Sequence, residues 1–192
     1  QGLAFLGDDK KLIVTPYPPP IPAEEVYDID WSILDDLGQM KFFVVGKEFS
    51  PLVDNVFAHD PRTHQPHREG KNVFTVVASK GCVARCTFCH RWDKGIRFIP
   101  VPILMERIDS LIQNCNMGFV DFGDENFGSD KNWLKHFLKE IKKRDLIWRV
   151  AGMRVNTISF EWIAQMKGAG CLTIDCGMES GSQKILDIME KK

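Results

Sequence analysis

No stretch of this sequence approaches the roughly 20 consecutive apolar residues that a bilayer-spanning helix needs, which excludes such a helix. An excess of one charge is also missing: 25 Lys plus Arg stand against 26 Asp plus Glu. A balanced chain offers no field to hold nucleic acid or an anionic membrane, so neither is expected as a partner. No solenoid repeat is present, and no secretory leader is read at the N-terminus. Without an export signal, the six cysteines do not read as a disulfide framework. They point instead to a reducing compartment, and a cytoplasmic location is expected.

What is present is ordinary globular usage, 44% hydrophobic and 27% charged, over 192 residues. That is enough for one domain, or one domain with an arm. The chain opens on Gln1 and stops within a helical pattern at Met189-Glu190-Lys191-Lys192, so it is read as a segment of a longer protein.

Residues 1 to 15 read as a hairpin, Gly2–Leu6 and Lys11–Thr15 around Gly7-Asp8-Asp9-Lys10. The segment TPYPPPIP that follows is too proline-rich for a helix interior or a central strand and is an extended connector. Trp31–Leu37 is read as a short helix, Phe42–Val45 as a short strand, and residues 58–72 as a polar loop. From Val73 the pattern becomes strand–helix alternation. Strands are expected at Val73–Val77, Gly118–Phe122, Leu146–Val150 and Cys171–Gly177. Helices follow with apolar stripes at Leu104, Ile108, Leu111 and Cys115, then at Leu134, Phe137, Leu138 and Ile141. The last two run from Ser159, as cap, through Met166 and from Ser180 to Met189. Such alternation means a parallel sheet ordered along the chain, either half of a barrel or a wide open sheet. Two domains are read: an arm over 1–72 and an α/β core over 73–192.

The chemistry concentrates in ASKGCVARCTFCHRW, residues 78–92, where Cys82, Cys86 and Cys89 fall in one loop at the carboxyl end of a strand. Ligands of parallel α/β sheets sit at that end. Three thiolates held together need a cation between them. One loop with the spacing C-x3-C-x2-C can wrap a [4Fe–4S] cube and leave one iron without a protein ligand. Adding His90 gives a set that could close a zinc site, although adjacent Cys89 and His90 are awkward for one tetrahedron.

Cys82-Val83-Ala84-Arg85-Cys86-Thr87-Phe88-Cys89 resembles the CxxxCxΦC signature of the radical S-adenosylmethionine (SAM) superfamily, with Phe88 as the aromatic. Further motifs fall where that family has them. Gly123-Asp124-Glu125 stands in the position of its GGE motif, whose main chain receives the SAM ammonium, with Asp124 replacing the second glycine. Arg154, in Gly152-Met153-Arg154, matches a basic residue that meets the SAM carboxylate. Gly177-Met178-Glu179-Ser180-Gly181-Ser182 resembles the G-(I/M)-E-S-G-S motif of members that often carry a cobalamin-binding domain. Glu179 and Ser180 would face the ribose and amino group of SAM. Plainer roles stay open: a solvated capping turn at Asp124 and Glu125, a surface Arg154, and a helix cap at Ser180 or Ser182.

The resemblance implies a partial TIM-type (β/α) barrel with about four of six βα units present, preceded by an irregular arm with a β-hairpin. It implies a [4Fe–4S] cluster and SAM as cofactors, with cobalamin carried by a domain outside this chain. The implied activity is reductive SAM cleavage to a 5′-deoxyadenosyl radical, leading to methyl transfer where cobalamin is used. A small-molecule substrate and an electron donor such as flavodoxin or ferredoxin are the implied partners. The competing reading is a non-catalytic zinc or iron–sulfur electron-transfer module.

Other polar residues carry less. His59, His64 and His67 read as a solvated loop. Cys115, Cys171 and Cys176 read as core, the last two on opposite faces of one strand. Asp121 and Asp175 lie in strands and need partners. Trp92 reads as a lid or packing residue.

Overall fold

The computed structural model describes residues 3–16, 19–44, 56–90 and 95–191. Trp92, the expected strand end Val45 and the hairpin's Gly2 lie outside these residues.

Strands β1 (Ala4–Leu6) and β2 (Leu12–Val14) pair antiparallel as the turn residues predict. Helix α1 spans Ser32–Asp36. The strand expected at 42–45 is instead a 3-10 turn over Met40–Phe43, and only Val44 reaches a strand, as an isolated antiparallel bridge to Asn72. The loop expected over 58–72 is likewise a run of 3-10 turns, Val56–His59, Pro61–His64 and Pro66–Arg68. Prolines start two of them, because a fixed φ suits a first helical position and the missing N–H costs nothing there.

Four strands form a parallel sheet in chain order: β3 (Asn72–Val76), β6 (Met117–Gly123), β7 (Ile147–Met153) and β8 (Cys171–Cys176). Between β3 and β6 lies an element the sequence reading missed. β4 (Ser79–Cys82) and β5 (Gly95–Phe98) pair antiparallel, so the cysteine loop is the tip of a hairpin and does not leave β3 directly. Ser79-Lys80-Gly81-Cys82 has no alternation of apolar residues to announce a strand.

Helices α2 (Val101–Cys115), α3 (Lys131–Ile141) and α4 (Phe160–Gly168) cover one face of the sheet; α5 spans Gln183–Ile188. In α2, Val101, Leu104, Met105, Ile108 and Leu111 are buried at helical spacing, and the left-handed Asn116 ends it. Asp130 caps α3 by accepting from the N–H groups of Asn132 (2.9 Å) and Trp133 (3.0 Å). Ser159 caps α4 through Trp162 N (3.3 Å). Phe74, Val76, Val120, Phe122, Trp148 and Val150 alternate toward these helices. There Phe122, Phe127, Trp133, Phe137 and Trp148 interlock, with Trp133 and Phe137 stacked at 5.1 Å.

The opposite face is built in two steps. Near the N-terminal ends of the strands, Phe57, from the turns before β3, packs on Val73, Phe119 and Ile147. One step on, Thr75, Asp121, Arg149 and Thr173 share a register row, and Arg149 donates to Asp121 at 2.7 Å. The partner that Asp121 requires is therefore its neighbour across the strand pair. Asp175 lies two residues beyond Thr173 and is exposed.

A register shift in β8, between the pairs Trp148–Cys171 and Arg149–Thr173, changes the expected alternation. Cys171 and Cys176 pack against the same helix-side core, not opposite faces, while Leu172 joins the cluster around Phe57. Burial pushes the Cys171 thiol up to about 12. Cys115 also packs against that core.

The segment before β3 is bound to this body. Val26 is fully buried among core residues, Arg107 donates to its carbonyl at 2.7 Å, and Trp31 meets Phe74 edge-on at 5.1 Å. Arg68 donates to the Asp145 carbonyl and carboxylate, each at 2.6 Å, with His67 at 3.1 Å from the same carboxylate. His64 reaches the Ala58 carbonyl.

Candidate functional site at the strand ends

The carboxyl ends of β6, β7 and β8 and the β4–β5 hairpin meet through a continuous set of contacts. The set starts at the base of the hairpin. Asp124, directly after β6, is 5% exposed. Its Oδ2 accepts from Ala78 N at 3.1 Å, and its Oδ1 accepts from the Ser79 hydroxyl. Desolvation raises its carboxyl to about 6, against the opposing effect of those hydrogen bonds. The Asp124 side chain is therefore turned inward, while Gly123 and Glu125 on either side are exposed.

The next link joins β6 to β7. Gly152 has φ +73°, and a Cβ there would stand 1.9 Å from the Asp124 carbonyl oxygen. Only glycine tolerates both the left-handed backbone and that approach. Two residues on, Arg154 lines a cavity of about 330 Å³ together with Asn156, Met178, Ser180, Gln183 and Lys191.

After β8, Glu179 is held at φ +57°, rare for a residue with a Cβ, in a tight turn where Ser180 N donates to the Met178 carbonyl at 2.6 Å. Ser180 Oγ accepts from Ser182 N at 3.1 Å. The helix begins at Gln183, later than its expected start at Ser180, and the Ser182 side chain makes no cap bond. Lys191 then closes the circuit. Its ammonium lies 2.7 Å from the Glu179 carboxylate and 5.8 Å from the centre of the Phe88 ring. Beside it, Thr87 N donates to the Met189 carbonyl at 2.9 Å. The cysteine hairpin is thus tied at its base to the turn after β6 and at its tip to the segment after β8.

Within the hairpin, Cys82 is half-buried, Cys86 buried and Cys89 exposed, and all are free thiols. Cys82 Sγ accepts from Ala84 N at 3.4 Å, and Cys89 N donates to the Cys86 carbonyl at 3.1 Å. Among the described residues no three His, Cys, Asp or Glu side chains are gathered as a metal would require. The three sulfurs share one loop without converging on one point, and His90, on the exposed side, completes no such group with them. Gly123, Glu125 and the cysteines do not line the cavity that Arg154 and Ser180 share.

Residues 76–192 match the sequence model of the Radical SAM superfamily. The chain belongs to the radical SAM superfamily. Among its curated relatives is the anaerobic magnesium-protoporphyrin IX monomethyl ester cyclase of Rubrivivax gelatinosus, 23% identical across this whole chain and 31% of that protein. An uncharacterized methyltransferase of Pyrococcus horikoshii is 31% identical over 60% of this chain and 26% of its own. The cytidylyl-2-hydroxyethylphosphonate methyltransferase of Streptomyces wedmorensis is 25% identical over 66% of this chain and 24% of its own. The chain therefore spans less than a third of these relatives. A solved radical SAM methyltransferase, TsrM from Kitasatospora setae, with cobalamin and a [4Fe–4S] cluster bound, superposes with a TM-score of 0.54. That overlap covers 62% of this chain and 24% of TsrM at 20% identity, and it shows the shared fold.

Within this radical SAM chain, the contacts around Ser79, Gly152 and Lys191 add residues that motif reading passed over. Gly152 lies in the stretch Gly152-Met153-Arg154, and a glycine's tolerance of the positive φ found there was the available signal. Ser79 and Lys191 carry no sequence signal, since each acts through a partner far away in the chain.

Proposed function

We propose that this chain is the cluster- and SAM-binding part of a radical SAM enzyme. The observation that carries the reading is the double tether of the cysteine hairpin, at its base to the turn after β6 and at its tip to Met189 and to Lys191, which in turn holds Glu179 in the turn after β8. Cys82, Cys86 and Cys89 would hold a [4Fe–4S] cluster. The donor set suits it, with three free thiols on one short loop and no carboxylate among them. The loop would draw its sulfurs together as the metal binds, since ligation and local folding are coupled. When bound, such a cluster supplies the electron that splits SAM into methionine and a 5′-deoxyadenosyl radical.

The protein's own part is orientation. The main chain at Gly123 and Glu125, both exposed residues, would receive the SAM ammonium. Arg154, on the cavity wall, would take its carboxylate by a charge-assisted fork. Glu179 and Ser180 would hold the ribose and amino group, with Lys191 orienting Glu179. Phe88 would shield the cluster side from water.

In this reading the sheet is the first four units of a partial (β/α) barrel whose interior is the face bearing Asp121 and Arg149, with residues 1–72 as its arm. Methyl transfer supported by cobalamin bound outside this chain is the reaction class most consistent with the relatives. The substrate is a small molecule, and a flavodoxin or ferredoxin is the natural donor.

Anaerobic reconstitution with iron and sulfide tests the proposal. The expected product binds about four irons per chain and has a paramagnetic signal, once reduced, that changes on adding SAM. Stoichiometric zinc with no response to SAM would instead establish the non-catalytic module.

A further inference from the structure

We infer that Asp124 is a positioning residue that clamps the base of the cysteine hairpin to the turn after β6, fixing where the cluster sits relative to the main chain that receives SAM. The inference rests on the proposed cofactor reading and adds a residue to it. In the family's pattern this position is a glycine, with no side chain to form a clamp.

Three observations support it. The Asp124 carboxylate uses both oxygens on consecutive buried groups, the N–H of Ala78 and the hydroxyl of Ser79, which are 0% and 1% exposed. Ser79 is the first residue of the strand that ends at Cys82. Second, the Ala78 carbonyl accepts from Ile99 N at 2.9 Å, directly after β5. Asp124 therefore holds the residue at which both ends of the hairpin meet. Third, its own main chain cannot drift, because its carbonyl is pressed against Gly152 at the end of β7. Without the carboxylate, two buried donors lose their acceptor, and unpaired buried donors are expensive enough to make the hairpin move.

A purely structural core carboxylate would act on the whole domain, whereas a clamp acts on the hairpin. The full chain is compared as wild type, Asp124→Asn, Asp124→Gly and Ser79→Ala. The first readout is amide hydrogen exchange of β4 and β5 in iron-free protein. Exchange there should quicken about tenfold or more in the Asp124 variants and less in Ser79→Ala, while β6 and β7 keep their protection. The second readout, at equal iron content, is the SAM-induced change in the reduced cluster's spectrum. It should need about tenfold more SAM in the variants.

Unchanged exchange in β4 and β5, or exchange quickened equally throughout the domain, overturns the clamp. A wild-type chain that loads iron yet ignores SAM overturns the cofactor reading instead, and the exchange measurement still decides the clamp. If the Asp124 variants do not fold, Ser79→Ala carries the same test.

Discussion

Asp124 is a buried carboxyl held at about 6 against an ordinary 3.8, chiefly by desolvation, so the folded chain binds its proton more tightly than the unfolded one. Its contribution to stability is thus greatest below pH 4 and is lost as pH rises through 6, by up to roughly 3 kcal/mol. Urea unfolding of wild type and Asp124→Asn at several pH values should show the difference between them shifting against wild type across that window. Parallel stabilities would show the carboxyl to be unperturbed. Gly152→Ala should cost at least about 2 kcal/mol, because a methyl would meet the Asp124 carbonyl on a left-handed backbone. Gly168→Ala, at a helical position with open space around it, should be neutral or slightly stabilising. Thermal melts of both variants check the contrast. At this scale the cysteine spacing and the GDE and GMES stretches were legible, because local order alone makes them. Ser79 and Lys191 were not, because their partners lie 45 and 12 residues away.

At the scale of elements, the four strand–helix units were readable because a buried parallel strand and an apolar helical stripe each impose a period on the sequence. Of the features that escaped, three show why. The β4–β5 hairpin begins with small residues that give no period, the turns over 56–68 are too short to have one, and the shift in β8 breaks the one it has. That shift relocated Cys171, which simple alternation put on the wrong face. The aromatic cluster beneath β6 and β7 is the feature on which the units depend. Phe137 is fully buried against Phe122, Phe127, Trp133 and Trp148. Phe137→Ala should cost about 3–5 kcal/mol, with loss of near-ultraviolet circular dichroism as the aromatic packing loosens. A melting temperature within a degree or two of wild type would deny the cluster that role.

For the molecule as a whole, sheet, hairpin and final helix converge on the same end of the strands, and the cysteine loop is the part left to be completed. It is held at base and tip, yet its sulfurs are not gathered. A loop of this kind gains order when metal arrives, because binding favours only the conformation that converges the ligands. Iron–sulfur loading should therefore slow amide exchange in residues 83–90 while leaving β6 and β7 unchanged. Replacing Cys82, Cys86 and Cys89 with alanine together should abolish both iron uptake and that slowing. The global fold should survive, since the three side chains contribute little to the helix-side core. Lys191→Ala provides a further check on the tip. It removes the cation between Glu179 and Phe88, and loop protection in the loaded chain should fall while iron content holds. Loop exchange that is indifferent to loading would mean that these thiols never close on one centre, and the cofactor assignment would fall with them.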